Sequence, residues 1–278
     1  MKGCISFALW GDKPIYCEGA LENVRLAKIV YPGWTCRFII PDGDSILHGR
    51  GNIEHRITTI PESVVAKLED EGAEIVRSDK NSWNLMLSRF YAVEDYDVVL
   101  IRDADSRLTF RERAAVDQWL ASDKMIHAMR DHPWHGTPIL GGMWGLKKGV
   151  IDDIRERCET YLADNNNDFW QVDQIFLREG IWPEFFHCVM VHAAYCQMLP
   201  TDLDFPTARE NGQYVGQPFD EVNKSMISLD GKMKLPERLE EMEANIAYFR
   251  DDERPLFVLD DMAVAYSSAD ISLEQEAH

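Results

Sequence analysis

Apolar runs and helical repeats alternate along the first half of the chain. Short apolar runs bounded by turn residues predict strands, and apolar positions repeating every three or four residues predict helices. The predicted strands are Cys4–Trp10, Thr35–Ile40, Ala73–Arg77, Asp97–Arg102 and Met125–Arg130. The predicted helices are Cys17–Val30, Pro61–Glu71, Leu85–Val93, Phe110–Ala121, Val150–Ala163 and Phe169–Arg178. This alternation indicates an α/β protein with a mostly parallel sheet flanked by helices.

The pattern loosens in two places. Residues Pro133–Gly145 are rich in Pro, Gly and Trp, which predicts a loop or short strand and not a helix. Beyond about Phe205 the periodicity weakens, although Leu235–Tyr248 has the pattern of an amphipathic helix. Residues 237–278 carry 12 acidic and 3 basic side chains, which predicts an exposed face and a frayed tail. We therefore expect one domain over residues 1–220, followed by a helical and acidic extension over residues 221–278.

Composition narrows the class of protein. A chain of 278 residues with 45% apolar content can build one large α/β core. The net charge of −19 argues against a nucleic-acid partner, although a metal ion can still bridge an acidic protein to a nucleotide. The six cysteines form no Cys-x-x-Cys pair, and no apolar segment is long enough to predict a secretion signal or a membrane span. We expect a reduced, cytoplasmic protein.

Two aspartates stand out because of what precedes them. Asp-x-Asp occurs four times, but only Asp103 and Asp105 follow an uninterrupted apolar strand, Val98–Ile101. Ligands of open α/β sheets bind beyond the carboxyl ends of the strands, and two carboxylates there can hold Mg²⁺ or Mn²⁺ and, through the metal, a phosphate group. The alternative is a solvated turn in which one aspartate caps the next helix.

Other segments offer candidate ligand contacts, each with a structural alternative. Trp10 ends the first strand within Phe7–Gly11 and can stack on a nucleotide base or belong to the core. Arg89 precedes the acidic strand and can bind a diphosphate with its planar fork or form a surface ion pair. Residues Phe205–Gln217 combine an Arg, a Gly turn and aromatic side chains, so they form either a closing loop or an ordinary surface loop.

Three further positions complete the set of candidates. Gly141 and Gly142 allow a substrate to approach the backbone, or they form a bulge. Asp173 is a candidate acid, base or stabilising carboxylate, or it favours a helix start electrostatically. His192 lies in an apolar run and is either a core residue or a third metal ligand.

The order of these pieces resembles the GT-A glycosyltransferases, in particular the retaining galactosyl- and glucosyltransferase group that includes glycogenin-like enzymes. The segments Arg102–Leu108 and Leu140–Gly145 also resemble glycosyltransferase-like proteins of large algal viruses and bacteria. This closer likeness covers roughly residues 3–220. It implies a Rossmann-like GT-A fold and transfer of a sugar from a nucleoside-diphosphate sugar, of the UDP or GDP type, to a carbohydrate acceptor.

The same resemblance implies a role for each matching residue. Asp103, Asp105 and His192 would bind Mn²⁺ or Mg²⁺, and Asp173 and Gln174 would act near the anomeric carbon. The implied contacts with the nucleotide-sugar are Phe7, Ala8, Leu9, Trp10, Gly11, Arg89, Asp103, Ala104, Asp131, Gly141 and Gly142.

One departure and two rival functions accompany this interpretation. The His-x-x-Gly-x-x-Lys-Pro-Trp segment of the glycogenin-like group is missing, because His192 is followed by Ala-Ala-Tyr-Cys. A Mg²⁺-dependent phosphatase of the haloacid-dehalogenase type also places Asp-x-Asp after a strand, normally the first of its domain, whereas three predicted strands come earlier here. A non-catalytic nucleotide- or sugar-binding protein could keep the same scaffold.

Overall fold

The computed structural model describes residues 1–48, 54–164, 168–195, 197–210 and 212–219. The predicted extension over residues 221–278, with its helix Leu235–Tyr248, lies outside the described residues. Within the described ranges, no helix is long and apolar enough to cross a membrane.

Nine strands and seven α-helices are present in the described part of the chain. The strands are β1 Gly3–Ala8, β2 Thr35–Pro41, β3 Ser45–His48, β4 Glu54–Ile57, β5 Glu74–Ser78, β6 Val98–Arg102, β7 Ile126–Arg130, β8 Met143–Lys147 and β9 Val189–Ala193. The α-helices are α1 Pro14–Val30, α2 Glu62–Asp70, α3 Leu85–Ser88, α4 Phe110–Leu120, α5 Ile154–Leu162, α6 Val172–Phe176 and α7 Trp182–Phe185.

Seven of these strands form one sheet, in the order β5-β2-β1-β6-β8-β7-β9. Strand β8 runs antiparallel to both of its neighbours, and the other pairings are parallel. The predicted α/β class with a mostly parallel, helix-flanked sheet is therefore confirmed. Six strands end at the same edge of the sheet, which we call the ligand edge, because this is where open α/β sheets bind ligands.

The core explains why the strands form where they do. Every residue of β6 is buried, as expected for a central strand covered by helices on both faces. Phe7 of β1 stacks on Phe38 of β2 with ring centroids 4.7 Å apart. Helix α1 begins with Pro14, a residue favoured in the first turn, and buries Ala20 and Val24 against the sheet.

The structure corrects several predicted boundaries. The hairpin of β3 and β4 was not predicted, because each strand has only four residues. The predicted helix Leu85–Val93 is one α-helical turn followed by the 3-10 helix Arg89–Glu94. The predicted helix Phe169–Arg178 begins only at Val172, because Gln171 adopts a left-handed backbone with φ of 73°. A π-helical segment, Leu177–Ile181, then continues it.

Candidate active site

One buried arginine joins two of the predicted acids at the ligand edge. Arg89 donates from Nη1 to Asp103 Oδ1 at 2.6 Å and from Nη2 to Asp173 Oδ2 at 2.5 Å. Its Nη1 also donates to the carbonyl of Arg102 at 3.0 Å. Arg89 and Asp173 are buried, whereas 54% of the Asp103 side chain is exposed. Residues far apart in the sequence, 89, 103 and 173, thus form one charged cluster that is open to solvent at Asp103.

The glycine pair before β8 makes room for both carboxylates of this cluster. A Cβ atom added to Gly141 would lie 2.0 Å from Asp173 Oδ2. A Cβ atom added to Gly142 would lie 2.0 Å from Asp103 Oδ2. Both distances are far below van der Waals contact, so any side chain at either position would displace the carboxylate. Glycine is therefore required at both positions, because only a residue without a side chain lets the backbone pack directly against the acids.

The second aspartate of the pair carries the clearest electrostatic signature. Burial, together with the charge of Asp103, raises the pKa of Asp105 to about 7. Two neighbouring carboxylates that repel each other favour a shared proton or a bound cation. Mg²⁺ in particular is usually held by one or two carboxylates together with water and phosphate oxygens. Asp103 and Asp105 fit this donor set, although the described residues contain no group of three His, Cys, Asp or Glu side chains placed to hold a metal ion.

Helix α1 supports the turn that carries these acids, residues 103–108, which we call the acid turn. Asn23 donates from Nδ2 to the carbonyls of Ala104 (3.3 Å) and Ser106 (2.8 Å), and its Oδ1 accepts from the Leu108 N–H at 3.1 Å. Gly19 packs so closely that an added Cβ would lie 2.1 Å from the Ala104 carbonyl oxygen. The sequence interpretation missed Asn23, although a polar residue on the apolar face of a helix was a usable signal.

Charge and burial compete at Arg89 and Asp173. Burial acts to lower the pKa of Arg89, but the charges of Asp103 and Asp173 raise it above its ordinary value. Burial raises the pKa of Asp173, against the lowering effect of Arg89. The Gln174 N–H donates to Asp173 Oδ1 at 2.8 Å, so both oxygens of Asp173 are held. The left-handed Gln171 lies two residues before Asp173, and such backbone strain is often found at functional sites.

The predicted nucleotide contacts at the end of β1 divide into two kinds. The side chains of Phe7 and Leu9 are fully buried in the core, so these two residues could contact a nucleotide only through their backbone, and the predicted contacts remain predictions. Trp10 is half-buried and meets Trp83 edge to face, with ring centroids 6.1 Å apart. Gly11 has a positive φ of 78° and lies against Ile57. Of this segment, Ala8 and Trp10 keep a partly exposed side chain at the ligand edge.

Asp131 is fully engaged in interactions within the protein. Its carboxylate accepts from Arg111 Nε (2.7 Å) and Nη2 (2.9 Å), from Arg209 Nε (3.3 Å) and Nη2 (3.1 Å), and from the Val215 N–H (2.9 Å). The residue has no exposed surface. Because a carboxylate offers about four lone-pair positions, none remains for a sugar hydroxyl. A contact of Asp131 with the donor sugar would therefore require the release of one of these partners, and it remains a prediction.

His192 lies away from the acid pair. It belongs to β9, which is separated from β6 by β8 and β7, or about 14 Å at the usual strand spacing. Its Nε2 faces Gln118 Oε1 at 3.2 Å, and its Nδ1 faces His127 Nε2 at 2.8 Å. Both ring nitrogens thus have partners within the protein, one of them the exposed Gln118, and the role of third metal ligand remains a prediction that needs a different arrangement.

Comparisons with known proteins find distant similarities only. No family model matches the sequence, and no curated protein matches it. The structure is similar to a glycosyltransferase involved in glycosylation of the major capsid of PBCV-1, with 13% identity, a TM-score of 0.46, and coverage of 88% of this chain and 100% of that one. It is also similar to the galactosyltransferase LgtC in complex with donor and acceptor sugar analogues, with 16% identity, a TM-score of 0.39, and coverage of 87% and 95%.

A third similar structure is the mannosyltransferase of Pyrobaculum calidifontis in complex with GDP-Man and Mn²⁺. It shares 14% identity and a TM-score of 0.38, over 55% of this chain and 46% of that one. The three similar structures named above are glycosyltransferases, which is the class that the sequence resembles. At TM-scores below 0.5, however, the activity of this chain has to be inferred from its own side chains.

Proposed function

We propose that the protein is a metal-dependent glycosyltransferase that moves a sugar from a nucleoside-diphosphate sugar to a carbohydrate acceptor. The observation that carries this proposal is the cluster of Arg89, Asp103 and Asp173 against Gly141 and Gly142, beside Asp105, whose pKa is raised by burial and by the charge of Asp103. It lies at the ligand edge, where a substrate can reach Asp103. Two carboxylates that can bind a cation, together with a buried acid beside them, are the groups that such a transfer needs.

Asp103 and Asp105 would hold Mn²⁺ or Mg²⁺. The chemistry that such an ion supplies is stabilisation of the negative charge on the departing nucleoside diphosphate. Because Gly142 has no side chain, the Asp103 carboxylate can lie against the backbone there. The hydrogen bond from Arg89 to Oδ1 fixes the orientation of this carboxylate. Ala8 and Trp10 lie at the end of the neighbouring strand and would border the base and ribose, of the UDP or GDP type.

Asp173 and Gln174 would act at the donor sugar. The Asp173 carboxylate is held by Arg89 on one oxygen and by the Gln174 N–H on the other, so its position is fixed before a substrate binds. A fixed carboxylate beside the donor sugar suits retention of configuration, because it can stabilise positive charge at the anomeric carbon. The anomeric configuration of the product, followed by proton NMR, tests this part of the proposal.

The two rival functions fit the cluster less well. A phosphatase of the haloacid-dehalogenase type needs Asp103 as a free nucleophile, but its Oδ1 accepts a short hydrogen bond from a buried guanidinium. Such pairing reduces the nucleophilicity of a carboxylate. A non-catalytic binding protein has no need for a second buried acid, Asp173, beside the cation pair.

A binding titration tests the proposed function. UDP-, GDP-, CDP- and ADP-sugars are added with and without Mn²⁺ while the melting temperature is measured. We expect one nucleotide to raise it by roughly 5 °C only when Mn²⁺ is present, since saturating ligand stabilises the folded state by mass action. Asp103→Ala and Asp105→Ala should abolish the metal-dependent part.

The exposed Asp42 belongs to another Asp-x-Asp pair and provides the matched control, because Asp42→Ala should leave the shift unchanged. The absence of a shift with every nucleotide would contradict the proposal.

We place the activity in the cytoplasm because the five cysteines within the described residues are free thiols, as is usual in a reducing compartment.

A further inference from the structure

A short segment near the end of the described chain crosses the ligand edge from β7 to β6. It comprises residues 212–219, which we call the strap. Its centre is a β-turn from Tyr214 to Gln217, in which the Gln217 N–H donates to the Tyr214 carbonyl at 3.2 Å. Gly216 occupies the third position with φ of 83°, and this is the type II turn that favours glycine there.

The strap is attached to the β7 side through Asp131. The Val215 N–H donates to Asp131 Oδ2 at 2.9 Å, and Arg111 and Arg209 hold the rest of that carboxylate. The Val215 side chain is buried and packs in a small apolar cluster that includes Met143. The attachment therefore combines a hydrogen bond to a buried charge with apolar packing, and the two contributions can be separated by substitution.

The other end of the strap is attached to the acid turn. The Phe219 N–H donates to the Asp105 carbonyl at 2.9 Å, and Pro218 forms an isolated antiparallel bridge with Ser106. The Arg107 guanidinium lies over the Phe219 ring, 4.9 Å from its centroid. The acid turn is consequently held from two directions, by Asn23 of α1 on one side and by the strap on the other.

We infer that Asp131 is a positioning residue that holds the strap against the acid turn, and so fixes Asp105 for cation binding without contacting the ligand. This inference rests on the proposed function. Asp131 is fully buried, and both oxygens of its carboxylate accept hydrogen bonds from the protein. It can therefore affect the cation site through the strap but not by contacting the ligand. Binding groups displaced by even a fraction of an ångström lose much of their effect, so loosening the strap should weaken the cation site.

The test removes a single N–H group. Val215 stands at the second position of the type II turn, where proline is favoured, so Val215→Pro keeps the turn and removes the donor to Asp131. Val215→Ala is the matched control, because it keeps the N–H group and removes more of the apolar side chain than Val215→Pro does. Asp131→Asn is the second variant, since it weakens the same attachment from the other partner.

Two quantities are measured on each protein: the dissociation constant of Mn²⁺ alone, by titration calorimetry, and hydrogen exchange in a peptide spanning residues 212–219. For Val215→Pro and Asp131→Asn we expect Mn²⁺ binding weakened about tenfold and faster exchange in the strap, the size expected for loss of a hydrogen bond to a charged group. Val215→Ala should change Mn²⁺ binding clearly less than Val215→Pro.

The outcomes separate the inference from the proposed function. Faster strap exchange with unchanged Mn²⁺ affinity would overturn the inference alone, and so would weaker Mn²⁺ binding with unchanged strap exchange. An equal loss of affinity in Val215→Ala would also overturn it, because packing and not the Asp131 attachment would then be responsible. If the unmodified protein does not bind Mn²⁺, or binds it equally well as Asp105→Ala, the proposed cation site itself fails.

Discussion

The two halves of the ligand edge contain arginines and carboxylates in opposite proportions. In the half formed by β1 and β6, Arg89 faces both Asp103 and Asp173, Arg102 pairs with Glu112, and Asp105 adds a fourth carboxylate near Arg107. In the half formed by β7 and β9, Asp131 lies between two arginines, and Arg130 pairs with Asp202.

This difference distinguishes carboxylates that can bind a ligand from carboxylates that stabilise the fold. Carboxylates in excess raise one another's pKa and favour a cation from outside the protein, whereas carboxylates matched by guanidinium groups are already satisfied. A buried acid is therefore a candidate ligand group only when the local charge balance leaves it unsatisfied. By this criterion Asp105 belongs to the candidate site, and Asp131 belongs to its support.

The largest effect on activity is expected from Gly142→Ala. Its new methyl group would collide with Asp103 Oδ2 and move the carboxylate away from the cation position. We expect kcat/KM to fall by about a hundredfold or more, as misplacement of a catalytic group by about 1 Å can do. Gly43→Ala is the control, because no atom lies within 4 Å of its added Cβ and activity should persist. Full activity in Gly142→Ala would remove Asp103 from the proposed site.

In the other half, breaking the Arg130–Asp202 pair should affect stability alone. Both side chains are buried, and Asp202 also accepts from the Met198 and Leu199 N–H groups. Asp202→Asn leaves a buried guanidinium without its counter-charge, which should cost about 3 kcal/mol of unfolding free energy in urea. At a temperature where the variant stays folded, kcat should match the unmodified protein. A loss of kcat under those conditions would erase the distinction between the halves.

Acid should weaken the β7–β9 half through its histidines. Burial, with the charge of Arg111, lowers the pKa of His192 to about 4, and burial also lowers the pKa of His127 well below its ordinary value. The neutral rings are thus favoured in the folded state, so the contribution of these histidines to stability is complete above pH 6.5 and falls as the pH drops toward 4. For His192 the loss can reach about 3 kcal/mol. His192→Gln should flatten the stability–pH curve in this window, measured by urea unfolding at several pH values.

The smallest effect concerns the strained residue before α6. Gln171 is the one non-glycine residue with positive φ among the described residues, and glycine adopts this conformation without penalty. Gln171→Gly should therefore raise the unfolding free energy by about 1 kcal/mol in urea. A decrease would mean that the Gln171 side chain makes contacts that outweigh the strain.

Local patterns predicted the scaffold better than they predicted the roles of side chains. The apolar run Val98–Ile101 identified β6 because a strand buried on both faces must be apolar throughout. The position of the acid pair followed directly from that strand. The hydrogen bond between Arg89 and Asp173 joins residues 84 positions apart, and the one between Arg209 and Asp131 joins residues 78 positions apart. No periodicity records such pairings, so Asp131 and His192 were assigned to the substrate and the metal although the protein itself satisfies both.

The reversed direction of β8 has a consequence for how such a protein could change its substrate. Because β8 returns antiparallel beside β7, the connection over residues 131–142 leaves and re-enters the sheet at the ligand edge. Its length and sequence can therefore vary while every strand keeps its register, as long as Asp131 at its start and the two glycines at its end are retained. Related chains should accordingly differ most in this connection, and variant libraries that test the proposed donor and acceptor binding should begin there.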